Sequence, residues 1–124
     1  TFDVLGGTRD QGSYLGGVIS PGLPSMTDYL HQNTALLPAI DLQEPSSAIG
    51  KSTTEAMRSG AVYGYRGMVR EVLRAIRSEL DENPTVIATG GDASLIAAGL
   101  PEIIEVVRNL TLRGIYLIGE RNLG

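Results

Sequence analysis

The stretch that most constrains the fold runs from Thr53 to about Glu82, because its apolar residues recur at the spacing of one helix face. This apolar stripe consists of Tyr65, Val69, Val72, Leu73, Ile76 and Leu80. Pro84 bounds the stretch, since proline has no backbone N–H with which to continue a helix. The pattern predicts one long amphipathic helix, with the charges between Arg58 and Glu82 on its solvated side.

Three glycines, Gly60, Gly64 and Gly67, lie in the first half of this helix. Each costs about 1 kcal/mol relative to alanine in a helix interior. Two explanations are open at this stage. Either the helix breaks near Ser59 and Gly60, or another backbone packs closely against the glycines.

The rest of the chain alternates short apolar runs with helical patterns, an order that predicts an α/β fold. In such folds ligands bind beyond the carboxyl ends of the strands. The other predicted elements are strands at 1–5 and 14–20 joined by a hairpin loop at 6–12, a helix at about 25–36, an extended piece at 37–42, a strand at 85–89, a helix at about 93–99, a strand at about 103–107 and a final helix at about 110–121.

Composition excludes several classes of protein. The 124 residues are 42% hydrophobic and carry a net charge of −4, which argues against general nucleic-acid binding and against a basic membrane-surface protein. The sequence contains no cysteine, which excludes thiolate metal sites and is compatible with a reducing cytoplasm, the location we predict. The chain starts in strand-like sequence without methionine, so we expect it to be part of a longer protein.

The triplet Gly50-Lys51-Ser52 ends like a nucleotide-binding P-loop, but its surroundings do not fit that motif. Pro45 stands five residues before Gly50, and the intervening residues are polar rather than strand-like. Ser52 followed by Glu55 instead predicts a capping box at a helix start. Two interpretations of this helix start are open. Either Ser52 and Thr53 only satisfy its free amide groups, or the free amides bind an anion or a polar ligand.

Gly90 and Gly91 directly follow the apolar strand at 85–89. Without side chains, such residues let a ligand approach the backbone closely. The alternative is an ordinary tight turn in which Asp92 caps the next helix. We predict that this turn and the Gly50–Thr53 helix start face a shared cleft, whose other wall lies outside these residues.

The sequence offers no evident acid, base or nucleophile. His31 is the single histidine, nothing near it resembles a nucleophile elbow, and a surface or partner-facing histidine is the better interpretation. The carboxylates show no metal-ligand spacing, so we predict neither a catalytic residue nor a metal ligand within this chain. The residues alone indicate a nucleotide- or metabolite-binding α/β half-domain.

Five stretches in this order resemble the C-terminal half of type III pantothenate kinase, a family also named Bvg accessory factor. They are Gly16-Gly17-Val18-Ile19-Ser20-Pro21-Gly22, Leu37-Pro38, the run from Ile49 to Gly60 with Tyr63-Gly64-Tyr65, Val86-Ile87-Ala88-Thr89-Gly90-Gly91, and Leu110-Thr111-Leu112-Arg113-Gly114. The resemblance covers nearly the whole chain.

The resemblance implies a ribonuclease-H-like half of the acetate and sugar kinase, Hsc70 and actin fold. It implies that a homodimer phosphorylates pantothenate with ATP, a divalent metal ion such as Mg²⁺ and a monovalent cation (K⁺ or NH4⁺), in the first step of coenzyme A synthesis. By matching motif, Thr53 corresponds to the pantothenate-contacting threonine, and Gly90 and Gly91 to the glycine pair beside the adenosine.

The family's N-terminal phosphate loop, its pantothenate loop and its aspartate base have no match in these residues, so we expect the isolated fragment to be inactive. One alternative is a non-catalytic regulatory homologue, as the family's second name suggests. The other is a kinase for a different small hydroxylated metabolite.

Overall fold

The computed structural model describes residues 1–8 and 11–124. It confirms a mixed α/β chain in which a hairpin and a helix precede one long helix and a short βαβ unit. The elements are β1 (Phe2–Thr8), β2 (Gln11–Val18), α1 (Leu23–Asn33), α2 (Thr53–Glu79), β3 (Val86–Ala88), α3 (Ala93–Ala97), β4 (Ile103–Val106) and α4 (Leu110–Leu123).

The first sheet is the antiparallel pair β1–β2, in which Phe2 lies opposite Val18. The predicted loop at 6–12 is wrong in extent, because both strands continue into it; its residues 9 and 10 lie outside the described residues. The glycines favoured a loop there, but they are accommodated within the strands. Gly7 and Gly16 adopt φ values of 101° and 130°, which residues with a side chain rarely adopt.

The second sheet is the parallel pair β3–β4, with Val86 opposite Ile103 and Ala88 opposite Val106. Helix α3 lies between the two strands in sequence, as a parallel connection requires. Each of the two sheets has two strands within the described residues. The pair β3–β4 confirms the strands predicted near 85–89 and 103–107, each slightly shorter than expected.

Helix α2 is continuous over 27 residues, and its start at Thr53 is the predicted one. Neither explanation of its glycines holds within this chain. A Cβ added at Gly60 or Gly67 would have no atom within 4 Å, and one at Gly64 would meet only the Met26 methyl group at 3.8 Å. The buried stripe maintains the helix, while the glycine face remains open.

The core forms where α2 meets α1 and the βαβ unit. It consists of Leu23, Ala61, Val69, Leu73, Ile96 and Leu100, with Phe2, Leu42, Tyr65, Met68, Val86, Leu95 and Ile103 packed around it. Leu23 belongs to α1, which begins two residues earlier than predicted because Pro24 fits the first helical turn rather than preceding it. This packing fixes α1 beside the first turns of α2.

Helix α4 buries none of its residues. Most of its apolar side chains, such as Leu112 and Ile118, are more than half exposed. None of the helices in the described part of the chain is long and apolar enough to cross a membrane.

Candidate functional site

The start of α2 is capped in both directions, which confirms the predicted capping box in a modified form. The Glu55 amide donates to Ser52 Oγ at 3.2 Å. In return, Glu55 Oε2 accepts from the Lys51 amide at 2.7 Å, which lies one residue before Ser52, the usual donor in a capping box. The Ala56 amide bonds the Ser52 carbonyl, so the amides of Ser52, Thr53 and Thr54 are the ones that have no acceptor among the described residues.

Gly50 is required by the close approach of the chain to this first turn. A Cβ at Gly50 would collide with the Ala56 amide nitrogen, and it would lie 2.6 Å from both Ala56 Cα and the Glu55 carbonyl carbon. All three are backbone atoms, which cannot rotate away. The residues before Gly50 form no strand, in agreement with the exclusion of a P-loop.

Residues 41–50, called here the entry segment, run along α2 without regular secondary structure. Side chains of α2 hold the segment in place through its carbonyl groups. Arg58 Nε donates to the Asp41 carbonyl at 3.2 Å, and Ser59 Oγ donates to the Ala48 carbonyl at 2.5 Å. The entry segment therefore reaches Thr53 along a defined path.

Thr53 is exposed and lies on a groove of about 810 Å³ between α1 and α2. The groove is mostly apolar, with Ser25, Tyr29 and Thr53 as its hydroxyl-bearing residues. Its lining residues are Pro21, Ser25, Met26, Tyr29, Leu30, Leu37, Thr53, Ala56, Met57, Gly60 and Ala61. An apolar groove with a few polar groups at a helix start has the character of a small-molecule site.

The sequence did not predict the contribution of α1 to this groove. Met26, Tyr29 and Leu30 recur at i, i+3 and i+4, which is the spacing of one helix face. This spacing was visible in the sequence, but it does not indicate against which other helix that face of α1 packs. His31, on the same helix, is exposed, and its Nδ1 lies 2.8 Å from the Leu37 carbonyl oxygen, so the surface position predicted for it is confirmed.

Gly90 and Gly91 form an exposed turn between β3 and α3, and they do not line the groove beside Thr53. Gly90 has a φ of 113°, and a Cβ at either glycine would have no atom within 4 Å. Asp92 occupies the N-cap position of α3, yet its side chain makes no capping hydrogen bond, so that part of the tight-turn alternative is wrong. The cleft shared by this turn and the start of α2 stays a prediction, because it depends on a second wall that was expected outside these residues.

Within the described residues, no group of three or more His, Cys, Asp or Glu side chains could hold a metal ion. The fold and the groove together define a mixed α/β protein with a candidate site for a small molecule at a capped helix start.

Comparison with known families identifies the chain more closely. The family model described as type III pantothenate kinase matches residues 1–75, which is more than half of the chain. The chain therefore belongs to the type III pantothenate kinase family. The matched range includes the entry segment, the start of α2 and every residue that lines the groove.

Curated relatives agree along the whole chain. A type III pantothenate kinase of Akkermansia muciniphila is 58% identical over 123 residues, covering 99% of this chain and 50% of the relative. The type III pantothenate kinase of Methylacidiphilum infernorum is 47% identical over 97% of this chain and 44% of its own length. The type III pantothenate kinase of Gluconobacter oxydans is 43% identical over 100% of this chain and 45% of its own length. The chain thus spans about half the length of these relatives.

Proposed function

We propose that the full-length protein containing this chain transfers the γ-phosphoryl group of ATP to the primary hydroxyl of pantothenate, the first step of coenzyme A biosynthesis. Family membership supports the reaction class. The single structural observation that carries the assignment of a site is the exposed Thr53, which lies on an apolar groove at the capped start of α2.

The chemistry available at this edge is recognition rather than bond breaking. The Thr53 hydroxyl can both donate and accept a hydrogen bond, and the free amides at the start of α2 favour an electronegative group. The groove wall formed by Met57 and Ala61 suits the apolar part of a small substrate. In this proposal, Thr53 orients pantothenate while the reacting groups lie outside the chain.

The chain as a whole, residues 1–124, is in this proposal the C-terminal ribonuclease-H-like domain of a two-domain kinase with the actin-like fold. The N-terminal half then supplies the phosphate loop and the aspartate base, and the fragment alone is inactive. The regulatory role suggested by the name Bvg accessory factor is the alternative, in which these N-terminal groups are missing.

ATP, Mg²⁺ or another divalent ion, and K⁺ or NH4⁺ enter the proposal through the resemblance. Gly90 and Gly91 lie beside the adenosine in this assignment, which their open, Cβ-free backbone supports. The metal ions stabilise phosphate charge when bound, and we derive no step through them. The proposed location is the cytoplasm, and neither nucleic acid nor a membrane is part of the proposal.

Replacing Thr53 with valine tests the substrate assignment in the full-length protein. Valine keeps the shape of threonine and removes the hydroxyl. We expect the KM for pantothenate to rise about tenfold, which corresponds to the loss of one hydrogen bond of about 1.4 kcal/mol. The measurement is steady-state phosphorylation of pantothenate at saturating ATP.

Thr54→Val is the matched control, because Thr54 belongs to the same helical turn but does not line the groove. It should leave the KM within about twofold of the unmodified enzyme. Equal kinetics of both variants would refute the role of Thr53. Turnover of sugars or glycerol in place of pantothenate would favour the second kinase alternative, and no turnover of any of these would favour the regulatory one.

A homodimer completes the proposal, with the open face of Gly60, Gly64 and Gly67 as its helix-packing surface. The Gly67→Leu variant adds a side chain whose Cβ would have no atom of this chain within 4 Å, so the change is directed at a partner. We expect the dimer dissociation constant to rise by more than about tenfold. Sedimentation velocity over a concentration series measures it.

Ser78→Leu makes a similar change to an exposed residue of the same helix, eleven positions beyond Gly67, and should leave the dissociation constant unchanged. A monomeric unmodified protein, or an equally tight dimer of the Gly67→Leu variant, would contradict the assigned surface.

A further inference from the structure

Arg66 is a charged residue of α2 that is almost completely buried, with only 5% of its surface exposed. The prediction that the charges between Arg58 and Glu82 lie on the solvated side of the helix is therefore wrong for this residue. Its Nη1 donates to Glu44 Oε1 at 3.0 Å, and its Nη2 donates to Glu44 Oε2 at 2.6 Å. The Nη2 group also donates to the Leu95 carbonyl at 2.5 Å. One guanidinium group thus joins α2 to the entry segment on one side and to α3 on the other.

The two partners differ strongly in exposure, since the side chain of Glu44 remains 55% exposed while that of Arg66 is 6% exposed. Within the described residues, the buried Nε of Arg66 has no acceptor. Burying a guanidinium is costly, and an ion pair of this kind is weak evidence of added stability. A two-bond pair between planar groups does, however, fix distance and orientation closely.

Gly99, just beyond α3, shows how tightly the guanidinium is enclosed. A Cβ at this position would lie 2.5 Å from Arg66 Nε and 2.6 Å from Arg66 Cζ. Only a residue without a side chain leaves room for Arg66 in its observed place. Gly99 therefore leaves the space that the Arg66 guanidinium fills beside α3, from which it bonds both carboxylate oxygens of Glu44.

Glu44 lies in the entry segment, the irregular stretch that leads through Gly50 into the start of α2. We infer that Arg66 is a positioning residue: by holding Glu44 against the βαβ unit, it fixes the path of the entry segment and so the place of Thr53 on the groove. This inference rests on the proposed function, because it assigns Arg66 to the pantothenate edge. Arg66 itself does not line the groove and contacts no substrate in this role.

The charge state of the pair is consistent with this role. The hydrogen bonds from Arg66 lower the pKa of Glu44 below its ordinary value, against the opposing effect of desolvation. The same bonds raise the pKa of Arg66. Both groups are therefore charged at neutral pH, as the two-bond contact requires.

The test compares two matched substitutions in the full-length protein. Glu44→Gln breaks the charged pair with Arg66, and Glu71→Gln breaks the pair of Glu71 with Arg74, which joins two exposed residues of α2 at 2.6 and 2.8 Å. We expect Glu44→Gln to raise the KM for pantothenate about threefold to tenfold, with Glu71→Gln unchanged. Because misfolded enzyme lowers kcat per mole and leaves KM alone, the KM separates positioning from simple loss of folded protein.

A second readout needs no turnover. Amide hydrogen exchange at Ile49, Lys51 and Glu55, whose N–H groups donate to side chains at the end of the entry segment and the start of α2, should be faster in the Glu44→Gln variant than in the unmodified protein, and unchanged in Glu71→Gln. Arg66→Lys, which keeps the charge but cannot bond both carboxylate oxygens in parallel, should reproduce both effects, with Arg74→Lys as its control.

Unchanged exchange at Ile49, Lys51 and Glu55 in the Glu44→Gln variant would overturn the inference. So would a pantothenate KM within twofold of the unmodified enzyme. If the unmodified protein does not phosphorylate pantothenate at all, the proposed function fails, and the exchange comparison alone then decides whether Arg66 fixes the entry segment.

Discussion

Replacing Gly50 with alanine in the full-length protein is expected to lower the free energy of unfolding by about 3 kcal/mol and to raise the KM for pantothenate more than about tenfold. The added Cβ would enter the backbone of the first turn of α2, at 2.6 Å from Ala56 Cα and the Glu55 carbonyl carbon. Backbone atoms cannot rotate aside, so either the entry segment or the helix start must move. Both movements displace Thr53.

Urea denaturation followed by circular dichroism gives the free energy of unfolding, and steady-state kinetics give the KM. The control is Gly12→Ala in β2, where the nearest atom to an added Cβ is the Gly6 carbonyl oxygen at 4.0 Å. It should change the free energy of unfolding by less than about 0.5 kcal/mol. A Gly50→Ala variant that behaves like this control would show that the helix start does not constrain Gly50.

Leu100→Ala is expected to lower the free energy of unfolding by about 3 to 4 kcal/mol, at the upper end for a buried leucine. Leu100 is fully buried in the core, where α2 and the βαβ unit meet. Its backbone also bonds Ala97 and Ile103, so the surrounding chain is held at both sides and collapses poorly into the cavity. The measurement is the same urea denaturation.

Leu100→Met serves as the matched control, because methionine has a similar volume and should cost less than about 1.5 kcal/mol. Since Leu100 neither lines the groove nor bonds the entry segment, neither variant should change the KM for pantothenate of the folded enzyme. A loss below about 1 kcal/mol for Leu100→Ala would contradict a core centred on this residue.

The local signals in the sequence predicted most elements well. The stripe beginning at Tyr65 predicted α2, and Ser52 with Glu55 predicted its start, because capping depends on residues three positions apart. The predicted end at Glu82 came three residues late, since no local signal between Glu79 and Pro84 marks the last turn. The prediction of a hairpin loop at 6–12 was wrong in extent, because glycines also occur within strands.

Three features of the site could not be predicted in this way. The groove depends on α1 packing beside the start of α2, the pair of Arg66 with Glu44 joins residues 22 positions apart, and Gly99 is needed only because Arg66 occupies the space beside it. Each of these contacts depends on how whole helices and strands pack against one another. A short window of sequence therefore carries no signal for them.

The sequence by itself determined the helices and strands, the capped start at Thr53 and the resemblance that pointed to the family, because propensity, periodicity and motif order are properties of neighbouring residues. Only the tertiary structure decided that Thr53 lies on an apolar groove, that the glycine face of α2 stays open within this chain and that a buried guanidinium fixes the entry segment. These are outcomes of side-chain packing between distant residues, where exclusion of volume and burial of charge select one arrangement.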